Sequence, residues 1–576
     1  MDNQFTFNAE DKRIEDILFS RYTFMVPRYQ RPYSWREDQL EEFWNDLANS
    51  EDTYFLGSFV FNLENQAKND YIEIIDGQQR LLTITIFFAA LRDLSYEIGE
   101  SKLAERIQKN CIAFEDRYGN ETYRIIPADT IRDFFKGYIQ NNTEKNVPTR
   151  TSKEQKQIID NYTYLRRSVA SELENLPTQD KKKEFIQKLW DKVADLRAIW
   201  IEIKNEDDAY IIFETVNARG AELSVADLLK NLIFKNVKKQ EDGIDTAKQK
   251  WIKIEENIQE TGIELSRFVR HFWLSKYSFV GEKNLYKQIK KTISDWETFL
   301  DELVDASQWY NMLLTGTRED WIDYGREGVK IYESLTGTRS MRVIQCYILF
   351  LSLLRNKKLL NRDLSFYFSL IEKFTFNYSA VGKQQANKVE KIYSKTATEL
   401  EAELKNKNPK LRTKNVERIF GNLNYELTTL RPAYGIFLEN FKEISYRSSE
   451  QSRVFIKYIL SSINKQISTA ELRIDFDVVN IEHIYPRSPL PDENGVRRDV
   501  REFVDLLGNL TLINKNYNSE ASNKAPIDKV HIFDRSEIKI TKELGSLIKE
   551  KGWDKEDIKN RQEEIANLAY TKVWNY

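Results

Sequence analysis

The spacing of apolar residues changes character along this chain and divides it into three regions. Early on, Tyr54-Phe55-Leu56-Gly57-Ser58-Phe59-Val60-Phe61 and Tyr71-Ile72-Glu73-Ile74-Ile75 form short runs rich in aromatic and β-branched residues, and these predict two strands. After Arg80 the period lengthens. Leu81, Ile84, Phe88 and Leu91 recur three or four residues apart, which predicts a helix with these side chains on one face. From about residue 92 to 450 helical spacing dominates, as at Leu228, Leu229, Leu232 and Ile233, with polar stretches at Asn141–Thr151 and Lys405–Asn415 expected as loops. Strand-like runs then return at Asn480–Tyr485 and Gly508–Ile513, followed by a polar segment that predicts the entry to a short helix. The fold class expected is therefore α+β and multidomain: an α+β unit, a large helical middle and a C-terminal ββα unit.

A chain of 576 residues exceeds one core, and at about 150 residues per unit three or four domains are expected. The pattern places them at 1–95, 96–235, 236–440 and 441–576, the second continuing the first and the third linking to the last. With 87 Lys and Arg against 90 Asp and Glu, the net charge of -3 excludes a bulk polycation, so any nucleic-acid surface must be local. Cys111 and Cys346 lie too far apart in sequence to form a stapled or zinc scaffold, which points to a reducing compartment, the cytoplasm. No export signal is expected from Met1-Asp2-Asn3-Gln4-Phe5, and the apolar window between Arg342 and Arg355 is short of the ~20 residues a membrane span needs.

Three segments of the first half carry candidate chemistry. Asp76-Gly77-Gln78-Gln79-Arg80 closes a strand and opens a helix, the outline of a phosphate cradle: Gly77 permits close backbone approach, amides at the helix start point outward, and Arg80 adds a fixed charge. The same residues also suit a plain cap, with Asp76 as the N-cap and Arg80 paired at the surface. Val26–Trp35 gathers Arg28, Gln30 and Arg31 among three aromatics, which suits stacking on a base and gripping phosphate, or an extended segment whose rings join the core. Around residue 220, Gly220 ends one helix while Ser224 and Asp227 make a capping box for the next. Capping gives no reason for Asn217 and Arg219 to adjoin that break, and both are expected to face the cradle.

The richest constellation is Ile481-Glu482-His483-Ile484-Tyr485-Pro486, followed by Gly508-Asn509-Leu510-Thr511-Leu512 and an asparagine-rich run. Phosphodiester cleavage needs a base for water and a divalent cation at the phosphate. His483 suits the base, its tautomer set by a carboxylate or carbonyl on its other nitrogen. Glu482 and Asn518 suit a hard ion, Mg2+ or Mn2+, although Asn514, Asn516 and Asn523 compete with Asn518.

These residues resemble the HNH superfamily, and the resemblance implies that Asn509 holds the loop orienting His483 and that Asn518 completes the metal site. Nearly the whole chain resembles the GmrSD family of modification-dependent (type IV) restriction endonucleases and their single-chain defence relatives. The resemblance rests on Arg-Tyr-Gln-Arg-Pro-Tyr-Ser-Trp, Asp-Gly-Gln-Gln-Arg, Asn-x-Arg-Gly, Glu-His-Ile-x-Pro with Gly-Asn-Leu-Thr-Leu, and an ending marked by Trp553, Ile558, Arg561 and Trp574. It implies a ParB/sulfiredoxin-like N-terminal domain that binds and hydrolyses a nucleoside triphosphate (GTP, ATP or CTP), joined through helices to an HNH nuclease. The nucleotide site would hold Asp76, Gly77, Gln78, Gln79 and Arg80, with Arg28, Gln30, Arg31, Asn217 and Arg219 around it.

The function expected is a cytoplasmic antiphage DNA endonuclease tuned by nucleotide. Its expected partners are DNA, modified phage DNA above all, a nucleoside triphosphate and a second copy of the chain, with no membrane. Two alternatives stay open: a nucleotide-switched nucleic-acid-binding regulator with an inactive nuclease fold, and an RNA-directed toxin nuclease.

Overall fold

The computed structural model describes residues 8–20, 22–27, 30, 32–49, 55–63, 71–116, 118–141, 150–203, 224–237, 245–360, 362–468, 474, 478–488 and 500–576. Arg28, Arg31, Asn217 and Arg219 lie outside the described residues. The chain forms two compact units, Met1–Asn236 and Val237–Tyr576.

The strands of the first unit are β1 (Asn8–Arg13), β2 (Thr23–Met25), β3 (Phe55–Asn62), β4 (Tyr71–Asp76), β5 (Ala113–Glu115), β6 (Glu121–Tyr123), β7 (Ile125–Ile126) and β8 (Arg197–Ile203). A mixed six-stranded sheet runs in the order β1-β8-β3-β4-β2-β7, and β5 pairs with β6 apart from it. Both faces of its centre bury apolar side chains, which is why β3 reads as a continuous apolar run rather than an alternation. Phe24, Phe61 and Trp200 cluster on one face, and Val60, Ile75, Ile201 and Ile203 on the other.

The helix Gln78–Glu97 corrects the expectation of a single apolar face. From Gln78 to Ser95 it is buried everywhere except at Arg80 and Asp93. The helices Ser101–Ile107, Lys153–Glu174 and Gln179–Asp195 wrap the sides that a surface helix would leave wet. Even Arg92 is enclosed, its guanidinium donating to Asp93, to Gln108 and to the carbonyl of Gln140. One core runs from Ile14 to Trp200, across residue 95, so the described residues from 96 to 203 share the core of those before them. The capping box is present, with Ser224 N donating to Asp227 Oδ2 at 3.0 Å and Asp227 N to Ser224 Oγ at 3.2 Å.

Helices dominate the second unit from Thr246 to Ile467. Among the described residues no helix is long and apolar enough to cross a membrane; the apolar window is the helix Cys346–Arg355, buried from Cys346 to Leu354. The segment Lys405–Asn415 is only partly a loop. Asn408 caps the helix Pro409–Thr429, accepting from the amides of Lys410 and Leu411, and Lys410, Arg412 and Lys414 lie on that helix. An N-cap asparagine followed by proline at the first helical position is a local start signal that outweighs the polar composition.

His271, on the buried side of the helix Leu265–Leu274, meets the Tyr310 hydroxyl through Nδ1 at 2.8 Å, and burial lowers its pKa to about 3. Between the ordinary value of 6.5 and about 3 the unfolded chain carries a proton that the folded protein refuses, so stability falls as pH drops through that window. The His271→Gln variant, which can still bond Tyr310, is expected to lose less stability on acidification than the parent, the difference approaching about 1.4 kcal/mol per pH unit. Urea midpoints at pH 7 and pH 5 check this; parallel losses in both proteins would refute it.

The second unit ends in a ββα arrangement. The strands β9 (Val479–His483) and β10 (Leu510–Asn514) pair antiparallel from Leu510↔His483 to Asn514↔Val479, and the helix Lys515–Ala521 packs on both. Gly508 and Asn509 lie in a tight turn, Leu507–Asn509, ahead of β10 rather than in the strand.

Candidate active site

Side chains alternate across a strand, so Glu482 and His483 point to opposite faces of the β9–β10 hairpin. On the His483 face, Val479, Leu510 and Leu512 join the core formed with Ile456, Ile459 and Ile463 of the helix Glu450–Ile467. His483 stands at the solvent edge of that core. Its Nε2 lies 3.0 Å from Asp505 Oδ1, which also accepts from Arg487 Nε at 2.6 Å. The Tyr446 ring meets the imidazole edge-on at 5.1 Å, and the Arg487 guanidinium lies over the same tyrosine at 4.6 Å. Burial lowers the His483 pKa and the charges of Arg487 and Lys529 push the same way, against Asp505. For Asp505 burial acts upward, but Arg487 and His483 outweigh it and hold the carboxyl below its ordinary value. An ionised carboxylate only accepts, so the neutral ring carries its proton on Nε2 and leaves the Nδ1 lone pair free to act as a base.

On the opposite face Glu482 stands beside Thr511, its cross-strand partner, in line with Ile513. Ile513 packs with Tyr517 and Ala521 of the helix Lys515–Ala521 and with Ile532 of the helix Pro526–Asp534, so both short helices cover this face. Lys529 of the second helix is enclosed there. Its ammonium donates to Glu482 Oε1 at 2.6 Å and to the His483 carbonyl at 2.7 Å. Burial pushes the Glu482 carboxyl up against the pull of Lys529, and pushes the Lys529 ammonium down.

Asn509 is fully buried and uses its whole amide. Oδ1 accepts from Tyr485 N at 2.9 Å and Trp553 Nε1 at 3.0 Å, while Nδ2 donates to the carbonyls of Tyr485 at 2.9 Å and Val504 at 2.7 Å. The chain just after His483 is thereby tied to the turn before β10. The helix Lys555–Leu568 braces that turn: Arg561 donates to the carbonyls of Gly508 and Leu510, and Gln562 accepts from Gly508 N. No side chain fits at Gly508, where a Cβ would strike the Ile558 carbonyl.

Asn518 is exposed on the helix Lys515–Ala521, as is Asn516; Asn514 is half-buried at the N-cap, and Asn523 is exposed beyond the helix. Among the described residues no three of His, Cys, Asp and Glu gather to hold a metal ion. The Glu482 carboxylate is a hard oxygen donor of the kind that suits an ion such as Mg2+, which keeps several waters.

In the first unit, Gly77 takes φ +93° between β4 and its helix, and a Cβ there would collide with the Phe59 ring. Gln79 spends its amide internally, accepting from Ser34 N at 2.8 Å and donating to the Pro32 carbonyl at 3.1 Å; Gln30 donates to the carbonyls of Ile74 and Ile75. The two glutamines stitch the segment before Trp35 to the turn, and Gln78 is buried. Asp76 and Arg80 stay partly exposed, 29% and 21%, and pair at 3.1 Å, while Arg80 also donates to the Leu56 carbonyl and lies over the Phe59 ring.

Sequence reasoning missed Asp505, Arg487, Tyr446 and Lys529. Only Lys529 leaves a local trace, as the one basic residue between Pro526 and Val530, Ile532 and Phe533 on a helix whose other buried positions are apolar.

Residues 14–234 match the family model of the GmrSD restriction endonuclease N-terminal domain, and residues 432–568 match that of the GmrSD restriction endonuclease C-terminal domain. Two domains of this kind define a restriction endonuclease, a hydrolase acting on DNA. The chain belongs to the GmrSD family of type IV restriction endonucleases and carries both domains in one polypeptide. The comparison with curated proteins gives no match.

Proposed function

We propose that the chain cuts DNA at an HNH-type site in the second unit, with cutting tuned by a nucleoside triphosphate bound at the Asp76–Arg80 turn and directed at modified phage DNA. The observation that carries the first part is His483 bonded to Asp505 beside a buried carboxylate on a braced ββα hairpin. His483 takes the proton of the attacking water at Nδ1, and Asp505 holds the ring in that tautomer and stabilises the imidazolium that forms. Asn509 keeps the His483 strand end in register with β10. Glu482 and Asn518 are the residues that would hold Mg2+ or Mn2+. Such an ion neutralises charge on the scissile phosphate and the leaving oxygen.

For the nucleotide site, a strand-turn-helix with a positive-φ glycine and a partly exposed Asp76–Arg80 pair supports the reading. The test is digestion of unmodified plasmid, naturally modified phage DNA and total RNA by purified protein with Mg2+ or Mn2+, with and without GTP, ATP or CTP. DNA cutting that depends on nucleotide and on modification is expected. No cutting under any condition would favour a nucleotide-switched binding protein, and cutting of RNA alone a toxin-like nuclease. The Arg80→Ala variant is expected to hydrolyse nucleotide about tenfold or more slowly, the scale of one lost charged hydrogen bond. Unchanged nucleotide affinity and turnover in that variant would remove Arg80 from the site.

A further inference from the structure

The Lys529 ammonium is fully buried between two oxygens of one strand end, 2.6 Å from Glu482 Oε1 and 2.7 Å from the His483 carbonyl. A buried ion pair is a weak device for stability, because desolvation of both charges offsets their attraction, whereas removing one partner is costly. An apolar residue beside Val530 and Ile532 would serve packing as well. Something other than packing is needed to account for a cation here.

We propose that Lys529 is the resident cation of the nuclease site: its ammonium holds Glu482 until a divalent ion takes that carboxylate, after which Lys529 keeps only the His483 carbonyl. This rests on the reading of Glu482 as a metal ligand. An ammonium and a hard divalent ion seek the same carboxylate and carbonyl oxygens. Glu482 cannot serve both without bringing two like charges within a few ångströms. Lys529 therefore keeps Glu482 compensated and ordered without metal, and it weakens metal binding by competition. Its flexible stem can leave Glu482 while the backbone carbonyl two bonds from His483 Cα stays in reach, so the displaced charge remains at the strand end that carries the base.

The test is Mn2+ binding to the full-length protein, followed by electron paramagnetic resonance and by the Mn2+-induced rise in melting temperature. Lys529→Gln retains a neutral donor for both oxygens, and Lys529→Met removes it. Both variants are expected to melt lower than the parent without metal, to bind Mn2+ on the order of tenfold to a hundredfold more tightly, and to gain more from it in melting temperature. Parental Mn2+ affinity in both variants would overturn the inference. Glu482→Gln separates the two levels: if it abolishes Mn2+ binding while the Lys529 variants bind as the parent does, only the role of Lys529 falls; if it leaves binding unchanged, the metal-site reading falls as well. Should neither Lys529 variant fold, reductive methylation of the unaltered protein decides. Faster modification of Lys529 with Mn2+ present supports displacement, and an unchanged rate refutes it.

Discussion

His483→Ala is expected to lower DNA cleavage by about 10²- to 10⁴-fold, the usual contribution of a general base, while leaving nucleotide hydrolysis at the parental rate. The imidazole sits at the edge of its core, against the Tyr446 ring, so the fold depends on it little. Asp505 loses one partner in the variant but keeps Arg487 at 2.6 Å, so no buried charge is stranded. A melting temperature near that of the parent is therefore expected beside the lost activity. The pH profile of the parent carries the second half of the prediction. Burial holds the His483 pKa below 6.5, so the neutral ring, the active form, is already the main species at neutral pH. Cleavage is expected to rise with pH below 6.5 and to be flat above it, and in the variant this acid limb should vanish. Substantial cutting by His483→Ala, or an unchanged acid limb in its residual activity, would take the base role away from His483.

Asn509→Ala is expected to cost the second unit about 3–5 kcal/mol and to silence cleavage through geometry alone. The substitution leaves two donors, the buried Trp553 Nε1 and the half-buried Tyr485 N, and two carbonyls, of buried Val504 and half-buried Tyr485, each short of a partner, and one fully buried group of this kind typically costs about 1–3 kcal/mol. The sum is discounted because the carbonyls have second lone pairs and the turn can relax. Urea unfolding followed by tryptophan fluorescence reads the loss. The first unit, which has its own core, should melt as in the parent. A variant within about 1 kcal/mol of the parent would mean that the turn is held by Arg561 and Gln562 without the asparagine.

These two residues also mark what could be read in advance. His483 is one of only three histidines, and it adjoins a carboxylate at the end of a strand-like run, so its chemistry stood out locally. Asn509 was marked out only by the resemblance to the HNH superfamily, not by its local spacing. By contrast, β3, β4, the Ser224–Asp227 capping box and the buried helix Cys346–Arg355 follow from short-range spacing that any window of the chain displays. What spacing could not show was the surroundings of an element. The helix Gln78–Glu97 reads as one-sided because Thr83, Thr85 and Arg92 are polar, yet three neighbouring helices bury them all. Gln79 and Gln30 look like ligand-binding amides in sequence, and they are ties between backbone segments in the fold.

The same division runs through the active site. Strand alternation is a property of the local backbone, so the sequence by itself determined that Glu482 and His483, adjacent in the chain, face opposite ways. Which groups meet them was decided only by tertiary structure. Asp505 reaches His483 across 22 residues and Lys529 reaches Glu482 across 47; Asp505 is indistinguishable in sequence from the many other aspartates of a highly charged chain, and the trace that Lys529 leaves on its helix does not tell which carboxylate it meets. Their protonation and partners depend on burial, and burial arises only when β10 and the helices after it close over β9.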